Sequence, residues 1–130
     1  MRTLIVEDDL TSRMILQKIL SPYGECHMAT TGKEAIDAFI MARKDNEPYD
    51  LICLDVMMPE MDGPEALRRI RVLEKEFAVK KGEEVKVLMT SVVENPRRVV
   101  DTYQAGATAY MIKPIDKTKL LAFLTEFKLI

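Results

Sequence analysis

Residues 51–63 read LICLDVMMPEMDG, an apolar run that stops at Asp55 and passes into a loop ending at Gly63. A short apolar run bounded by turn residues predicts a buried β-strand. The carboxylate that follows it then lies at the end of the strand, where a side chain is free to take part in chemistry. Asp55 is therefore the first candidate functional residue.

Two other short apolar runs also end in charge. Residues 4–6 (LIV) precede Glu7 and Asp8, and residues 110–112 (YMI) precede Lys113. If all three runs are parallel strands of one open sheet, their charged residues meet at its carboxyl edge, where such sheets bind ligands. Three carboxylates do not crowd together fully ionised without a cation. The pattern predicts a divalent metal beside one reactive aspartate, a site suited to phosphoryl transfer.

Size and composition limit the number of domains and the kinds of partner that the chain can bind. The chain has 130 residues, 48% apolar and 31% charged, with a net charge of -2. These values predict a single domain over residues 1–130 and give no electrostatic case for nucleic-acid or membrane binding. No apolar run approaches the roughly 20 residues of a membrane span, and the amino terminus lacks a signal-peptide pattern. We expect a cytoplasmic protein.

Apolar runs alternate with segments of helical period along the whole chain, which is typical of βαβ units in an α/β fold. Such a sheet carries helices on both faces. Periodicity does not determine the strand order. The predicted strands lie near residues 3–7, 25–29, 50–55, 85–90 and 109–112.

Helical spacing also predicts which side chains face the core. In the first helix, near residues 10–21, the apolar face is predicted to carry Met14, Ile15, Ile19 and Leu20. In the third, near residues 64–77, Arg71 and Glu74 fall towards solvent. The two cysteines, Cys26 and Cys53, lie within predicted strands and are expected to be buried reduced thiols.

Four motifs occur in order along the chain: VEDD at 6–9, DVMMPEMDG at 55–63, MTS at 89–91 and YMIKP at 110–114. In this combination the chain resembles the receiver domain of two-component response regulators, in particular the single-domain, chemotaxis type. The resemblance covers essentially the whole chain. It implies a flavodoxin-like, doubly wound sheet of five parallel strands in the order 2-1-3-4-5, with five helices on both faces.

By this resemblance, Asp55 accepts a phosphoryl group from a histidine kinase or a phosphotransfer protein, assisted by Lys113 and Thr90. The chain would then be a signalling phosphoacceptor that catalyses its own phosphorylation and slow dephosphorylation, rather than a conventional enzyme. A carboxylate is a weak nucleophile, but its acyl phosphate can drive a conformational change.

The resemblance also implies a magnesium site, with Mn²⁺ as a substitute. The implied ligands are Asp8, Asp55 and the backbone carbonyl of Met57, with Glu7 acting through water. Magnesium prefers oxygen ligands and keeps several waters, so few protein ligands suffice.

Thr90 and Tyr110 match the switch residues of the family. They are expected to couple the phosphoryl group to the face made by the fourth helix, fifth strand and fifth helix, which would bind a downstream protein target. Alternatively, the chain would relay the phosphate to a phosphotransfer histidine. The resemblance further implies a cis Lys113–Pro114 bond. We expect a monomer, with phosphorylation-dependent dimerisation as an open alternative.

Three positions near the phosphoryl group affect access to it. Ser91 replaces the alanine that is common after the switch threonine. Met57 and Val92, two residues beyond Asp55 and Thr90, are both apolar. We hypothesise that they fail to orient an attacking water, so that the phosphorylated state persists.

Two rival interpretations remain. A magnesium-dependent phosphatase of the haloacid dehalogenase type also forms an aspartyl phosphate, but needs a second aspartate where Met57 stands. A receiver-like interaction module that never takes phosphate would generally lack one of the key charged residues. His27, the only histidine, is predicted to face solvent from a strand rather than to carry phosphate.

Overall fold

The computed structural model describes residues 1–92 and 95–130. Strands and α-helices alternate, as the apolar runs predict. The strands are β1 (Thr3–Val6), β2 (Cys26–Ala29), β3 (Leu51–Asp55), β4 (Lys86–Ser91) and β5 (Ala109–Ile112). The helices are α1 (Leu10–Leu20), α2 (Gly32–Lys44), α3 (Gly63–Glu76), α4 (Pro96–Gln104) and α5 (Lys117–Glu126), with a short 3-10 helix, Ser21–Tyr23, after α1.

All neighbouring strands are parallel, and their order is β2-β1-β3-β4-β5. This confirms the predicted flavodoxin-like sheet. The chain runs outward from β1 to β2 and then crosses back to β3 on the other side. Such a reversal opens a crevice at the carboxyl ends of the two inner strands, β1 and β3.

Two apolar layers cover the sheet. Side chains alternate across β1, so Leu4 and Val6 pack in one cluster with Phe39 of α2 and Ile70 of α3. Ile5 points the other way into a second cluster with residues of α1 and α5. The sheet is therefore buried on both faces, and its strand ends are where polar side chains reach solvent.

The apolar face predicted for α1 is partly wrong. Met14 and Ile15 are 60% and 43% exposed. Leu20 is buried as predicted, and Leu16, which was not predicted to face the core, is buried with it. Apolar residues occur over a wide arc of this helix, but only a narrow stripe contacts the sheet. The pair at spacing i, i+4 occupies that stripe.

The solvent-facing prediction for Arg71 and Glu74 is also wrong. Glu74 is buried, and its Oε2 accepts a 2.7 Å hydrogen bond from the backbone N–H of Val85, just before β4. Arg71 donates from Nη1 to the carbonyl of Val85 at 2.8 Å and from Nη2 to the carbonyl of Gly106 at 2.8 Å. The two side chains satisfy backbone groups at the amino edge of the sheet, which outweighs the local helical pattern.

Both cysteines are free thiols. Cys53 is buried as predicted, and burial raises the pKa of its thiol to about 12. Cys26 is only half-buried. Within residues 1–92 and 95–130, no helix is both long and apolar enough to cross a bilayer.

Candidate functional site

Three carboxylates converge at the carboxyl edge of the sheet. Glu7, Asp8 and Asp55 each contribute an oxygen, and these oxygens lie within 4.8 Å of one another. Glu7 and Asp55 are 1% and 5% exposed, whereas Asp8 is open to solvent. The cluster thus has a buried floor and one accessible side.

The pairing of β1 with β3 creates this proximity. Val6 lies opposite Leu54, so the residues that follow each of them emerge side by side. Arg13 of α1 holds the loop after β1, since its Nη1 donates to the carbonyls of Glu7 and Asp8 at 2.9 and 3.2 Å. Arg13 was not among the residues predicted for the site, although a basic residue one turn into the helix after an acidic loop is a signal for this role.

Asp9 has a different role from its acidic neighbours. Its Oδ2 accepts a 2.9 Å hydrogen bond from the backbone N–H of Ser12, which makes it the N-cap of α1. Asp9 therefore acts as a helix cap, a common role for an acidic residue between a strand and a helix. The carboxylates of Glu7 and Asp8 belong to the cluster instead.

Lys113 brings a positive charge into the cluster from the end of β5. Its Nζ lies 2.6 Å from Oε2 of Glu7 and 3.5 Å from Oδ2 of Asp55. The backbone N–H of Lys113 donates to the carbonyl of Ser91 at 2.7 Å, and the bond to Pro114 is cis, as the resemblance implied. One ammonium is therefore shared between two buried carboxylates.

The electrostatics show that the negative charge is only partly compensated. Burial and the charge of Glu7 raise the pKa of Asp55 to about 7, although Lys113 acts in the opposite direction. Burial by itself would lower the pKa of Lys113, but its hydrogen bond to Glu7 and the charges of both carboxylates raise it. A second cation at this cluster would stabilise the ionised form of Asp55.

Thr90 and Tyr110 lie on the two strands beyond β3. Thr90 is buried and pairs in register with Asp55, and its carbonyl accepts a 2.9 Å hydrogen bond from the N–H of Val56. Tyr110 is half-buried, pairs with Met89 and packs against the cluster on the α2–α3 face. The register therefore places the threonine beside the acidic cluster and the tyrosine on the next strand.

The family model described as the response regulator receiver domain matches residues 3–125. The chain belongs to this family. The receiver domain is 31% identical over 127 residues to the chemotaxis protein CheY of Bacillus subtilis, covering 96% of this chain and 95% of CheY. Over the same length it is 32% identical to the sensory/regulatory protein RpfC of Xanthomonas campestris, covering 97% of this chain but only 16% of RpfC.

A solved structure supports the same assignment. The receiver domain of the histidine kinase CKI1 from Arabidopsis thaliana, in complex with Mg²⁺ and BeF₃⁻, superposes with a TM-score of 0.81 at 29% identity. The match covers 98% of this chain and 89% of that one. The fold and the family of this receiver domain are thus shown by sequence and by structure.

Two of the three positions predicted to affect access to Asp55 are exposed and apolar in this receiver domain. Met57 is 52% and Val92 71% exposed, whereas Ser91 is fully buried. The backbone nitrogen of Met57 lies 3.4 Å from Oδ1 of Asp55. Arg98 of α4 reaches Met57, with Nη2 3.3 Å from Sδ. No local pattern in the sequence signals this last contact, because it joins residues on separate elements.

His27 lies away from the site on the edge strand β2. Its Nδ1 is 2.7 Å from the hydroxyl of Tyr49 and its Nε2 is 2.9 Å from Oε1 of Glu25. The ring is half-buried rather than simply solvent-facing. Both ring nitrogens are therefore engaged in a polar network with Tyr49 and Glu25 at the edge of the sheet.

Proposed function

We propose that this receiver domain is a signalling phosphoacceptor in which Asp55 takes a phosphoryl group from a histidine kinase or a phosphotransfer protein. The observation that carries the proposal is the position of Lys113 Nζ, 3.5 Å from Asp55 and 2.6 Å from Glu7, at the partly open acidic cluster. The Asp55 oxygen forms a bond to phosphorus as the donor's bond to phosphorus breaks. Catalysis of this kind depends mainly on positioning and charge neutralisation.

The donor set fits Mg²⁺, with Mn²⁺ as a substitute. All three side chains offer carboxylate oxygens, and the exposed side at Asp8 leaves room for the waters that magnesium retains. Asp8, Asp55 and the carbonyl of Met57 would be the ligands, with Glu7 acting through water. When bound, the metal supplies positive charge to the oxygens of the transferring group. The Mg²⁺ complex of the CKI1 receiver domain supports this assignment by similarity.

The chain's own residues supply the remaining functions. Lys113 neutralises a phosphoryl oxygen as a point charge. Thr90 donates its hydroxyl to another oxygen, and Tyr110 changes position when the threonine moves. The face of α4, β5 and α5 is altered in consequence, and it binds a protein target or a second copy of the chain. In a relay, Asp55 instead passes its phosphoryl group to a phosphotransfer histidine. Met57 and Val92 slow hydrolysis because neither side chain can orient water.

Incubation with acetyl phosphate and Mg²⁺ tests the proposal. We expect one phosphoryl group per chain by intact-mass spectrometry, abolished by Asp55→Asn or by a chelator. Asp50→Asn is a matched control, since Asp50 precedes the other end of the same strand. Sustained turnover of acetyl phosphate would instead indicate a phosphatase, and absence of labelling would indicate a phosphate-independent module.

A further inference from the structure

Arg98 of α4 contacts the loop between β3 and α3 at two points. Its Nη2 is a donor 3.3 Å from the thioether sulfur of Met57, across 41 positions of sequence. Its Nη1 lies 3.9 Å from Oδ2 of Asp62, the N-cap residue of α3. A planar guanidinium with several donors can hold both groups at once. Arg98 therefore ties the loop that follows Asp55 to a different helix.

The contact matters because of where Met57 lies. Its backbone nitrogen is 3.4 Å from Oδ1 of Asp55, yet its side chain is about half exposed. Methionine has three rotatable bonds and adapts easily to its surroundings. A donor on the sulfur reduces the number of conformations open to this side chain, whose backbone lies next to the carboxylate.

We propose that Arg98 is a positioning residue for the reaction at Asp55, acting through Met57 to slow hydrolysis of the aspartyl phosphate. This inference rests on the proposed function and adds to it a residue from α4. In hydrolysis, a water oxygen bonds to phosphorus while the bond from phosphorus to the Asp55 oxygen breaks. The water's proton passes to solvent, inorganic phosphate leaves, and the carboxylate is restored. An ordered thioether beside the phosphorus hinders the approach of that water.

The rate of phosphate loss from the labelled protein tests this role. We expect Arg98→Met to speed hydrolysis about threefold to tenfold, the range that the loss of one hydrogen bond allows. Arg97→Met is the matched control, because it removes the same charge from an exposed neighbouring position of α4. Its rate should equal that of the wild type. Arg98→Lys retains a charge and one donor, and should show an intermediate rate.

A double-mutant cycle separates positioning from a general structural effect. If Arg98 acts through Met57, Arg98→Met adds nothing in a Met57→Ala background. Equal acceleration in both backgrounds, or an unchanged rate in the single variant, would overturn the inference while labelling at Asp55 still supported the proposed function.

A second measurement does not depend on phosphorylation. The ¹³C-methyl NMR resonance of Met57 should shift in Arg98→Met and stay in place in Arg97→Met. An unmoved resonance in Arg98→Met would show that the contact is absent and refute the inference by itself. If the wild type is not phosphorylated by acetyl phosphate, the proposed function is refuted, and the role of Arg98 in hydrolysis is refuted with it.

Discussion

Lys113 and Glu7 form an ion pair with 2.6 Å between Nζ and Oε2, although 106 positions separate them along the chain. Glu7 is 1% exposed, and a carboxylate this deeply buried requires a cation or a set of donors. The same ammonium lies 3.5 Å from Asp55. One positive charge therefore serves two buried carboxylates.

Replacing Asp55 with asparagine should stabilise the metal-free protein at pH 8. The pKa of Asp55 rises from its usual 3.8 to about 7, first through burial and then through the charge of Glu7. Between pH 3.8 and about 7, Asp55 ionises in the unfolded chain but stays protonated in the folded one. The free energy of unfolding therefore falls as the pH rises through this range, and the whole loss persists above about pH 7. The variant should gain at least about 1 kcal/mol, since one pKa unit corresponds to about 1.4 kcal/mol.

Urea unfolding with a chelator present measures this gain. Asp37→Asn, on the exposed side of α2, is the control and should change stability little at pH 8 or at acid pH. The gain for Asp55→Asn should shrink towards acid pH, where the wild-type carboxyl is protonated in the fold. Equal stabilities of variant and wild type at pH 8 would contradict the raised pKa of Asp55.

Magnesium affinity should weaken as the pH falls below about 7. The ion requires Asp55 as a carboxylate, and a proton competes for the same group because its pKa is raised to about 7. We expect a decrease of up to about tenfold per pH unit below that value. Isothermal titration calorimetry at several pH values measures it. An affinity independent of pH would show that Asp55 is not a ligand or is already ionised.

Lys113→Met should have opposite effects on metal binding and on phosphorylation. Removing the ammonium takes a positive charge away from the site, so Mg²⁺ should bind more tightly at a pH where Asp55 stays ionised. Labelling by acetyl phosphate should slow by about tenfold or more, because a charge on the transferring group is lost. Lys117→Met, an exposed change four residues later, should alter neither. Weaker metal binding in Lys113→Met would argue against the shared ion pair.

Gly63→Ala should disturb the site through the backbone. A Cβ at this position would overlap the carbonyl oxygen of Asp55, which cannot move without shifting the strand end. We expect a loss of about 1–3 kcal/mol in stability together with slower labelling. Gly32→Ala is the comparison, since the three atoms nearest its Cβ belong to the side chain of Met61, at 3.0–3.1 Å, and none is a backbone atom. Similar results for the two variants in urea unfolding would refute this account.

Arg71→Met should be far more destabilising than Arg69→Met on the same helix. Arg71 pairs with buried Glu74 at 2.7 Å and holds two backbone carbonyls, so its loss should cost about 3–5 kcal/mol. Arg69 makes an exposed 3.0 Å pair with Glu65, worth about 0–1 kcal/mol. Urea unfolding of both variants tests the difference. Comparable losses would show that the contacts of Arg71 with Glu74 and the two carbonyls do not stabilise the fold.

Local patterns predicted the elements well, because strand formation and helix capping depend on residues close in sequence. Asn95 illustrates this, since its side chain accepts from the N–H of Arg97 at 3.0 Å where an Asn-Pro pair predicts a helix start. The face of α1 was harder to predict. Met14 and Leu16 are both apolar, and only the packing of the helix on the sheet decides which one is buried.

The sequence by itself determined the order of strands and helices along the chain and placed an acid or a lysine at the strand ends, since short-range periodicity encodes both. Only the tertiary structure decided how those charges share one cluster. Glu7 is buried against Lys113 while Asp8 stays open, and Arg98 reaches Met57 from another helix. These relationships join residues far apart in the chain, and their distances follow from the order of the strands and from how the helices pack on the sheet.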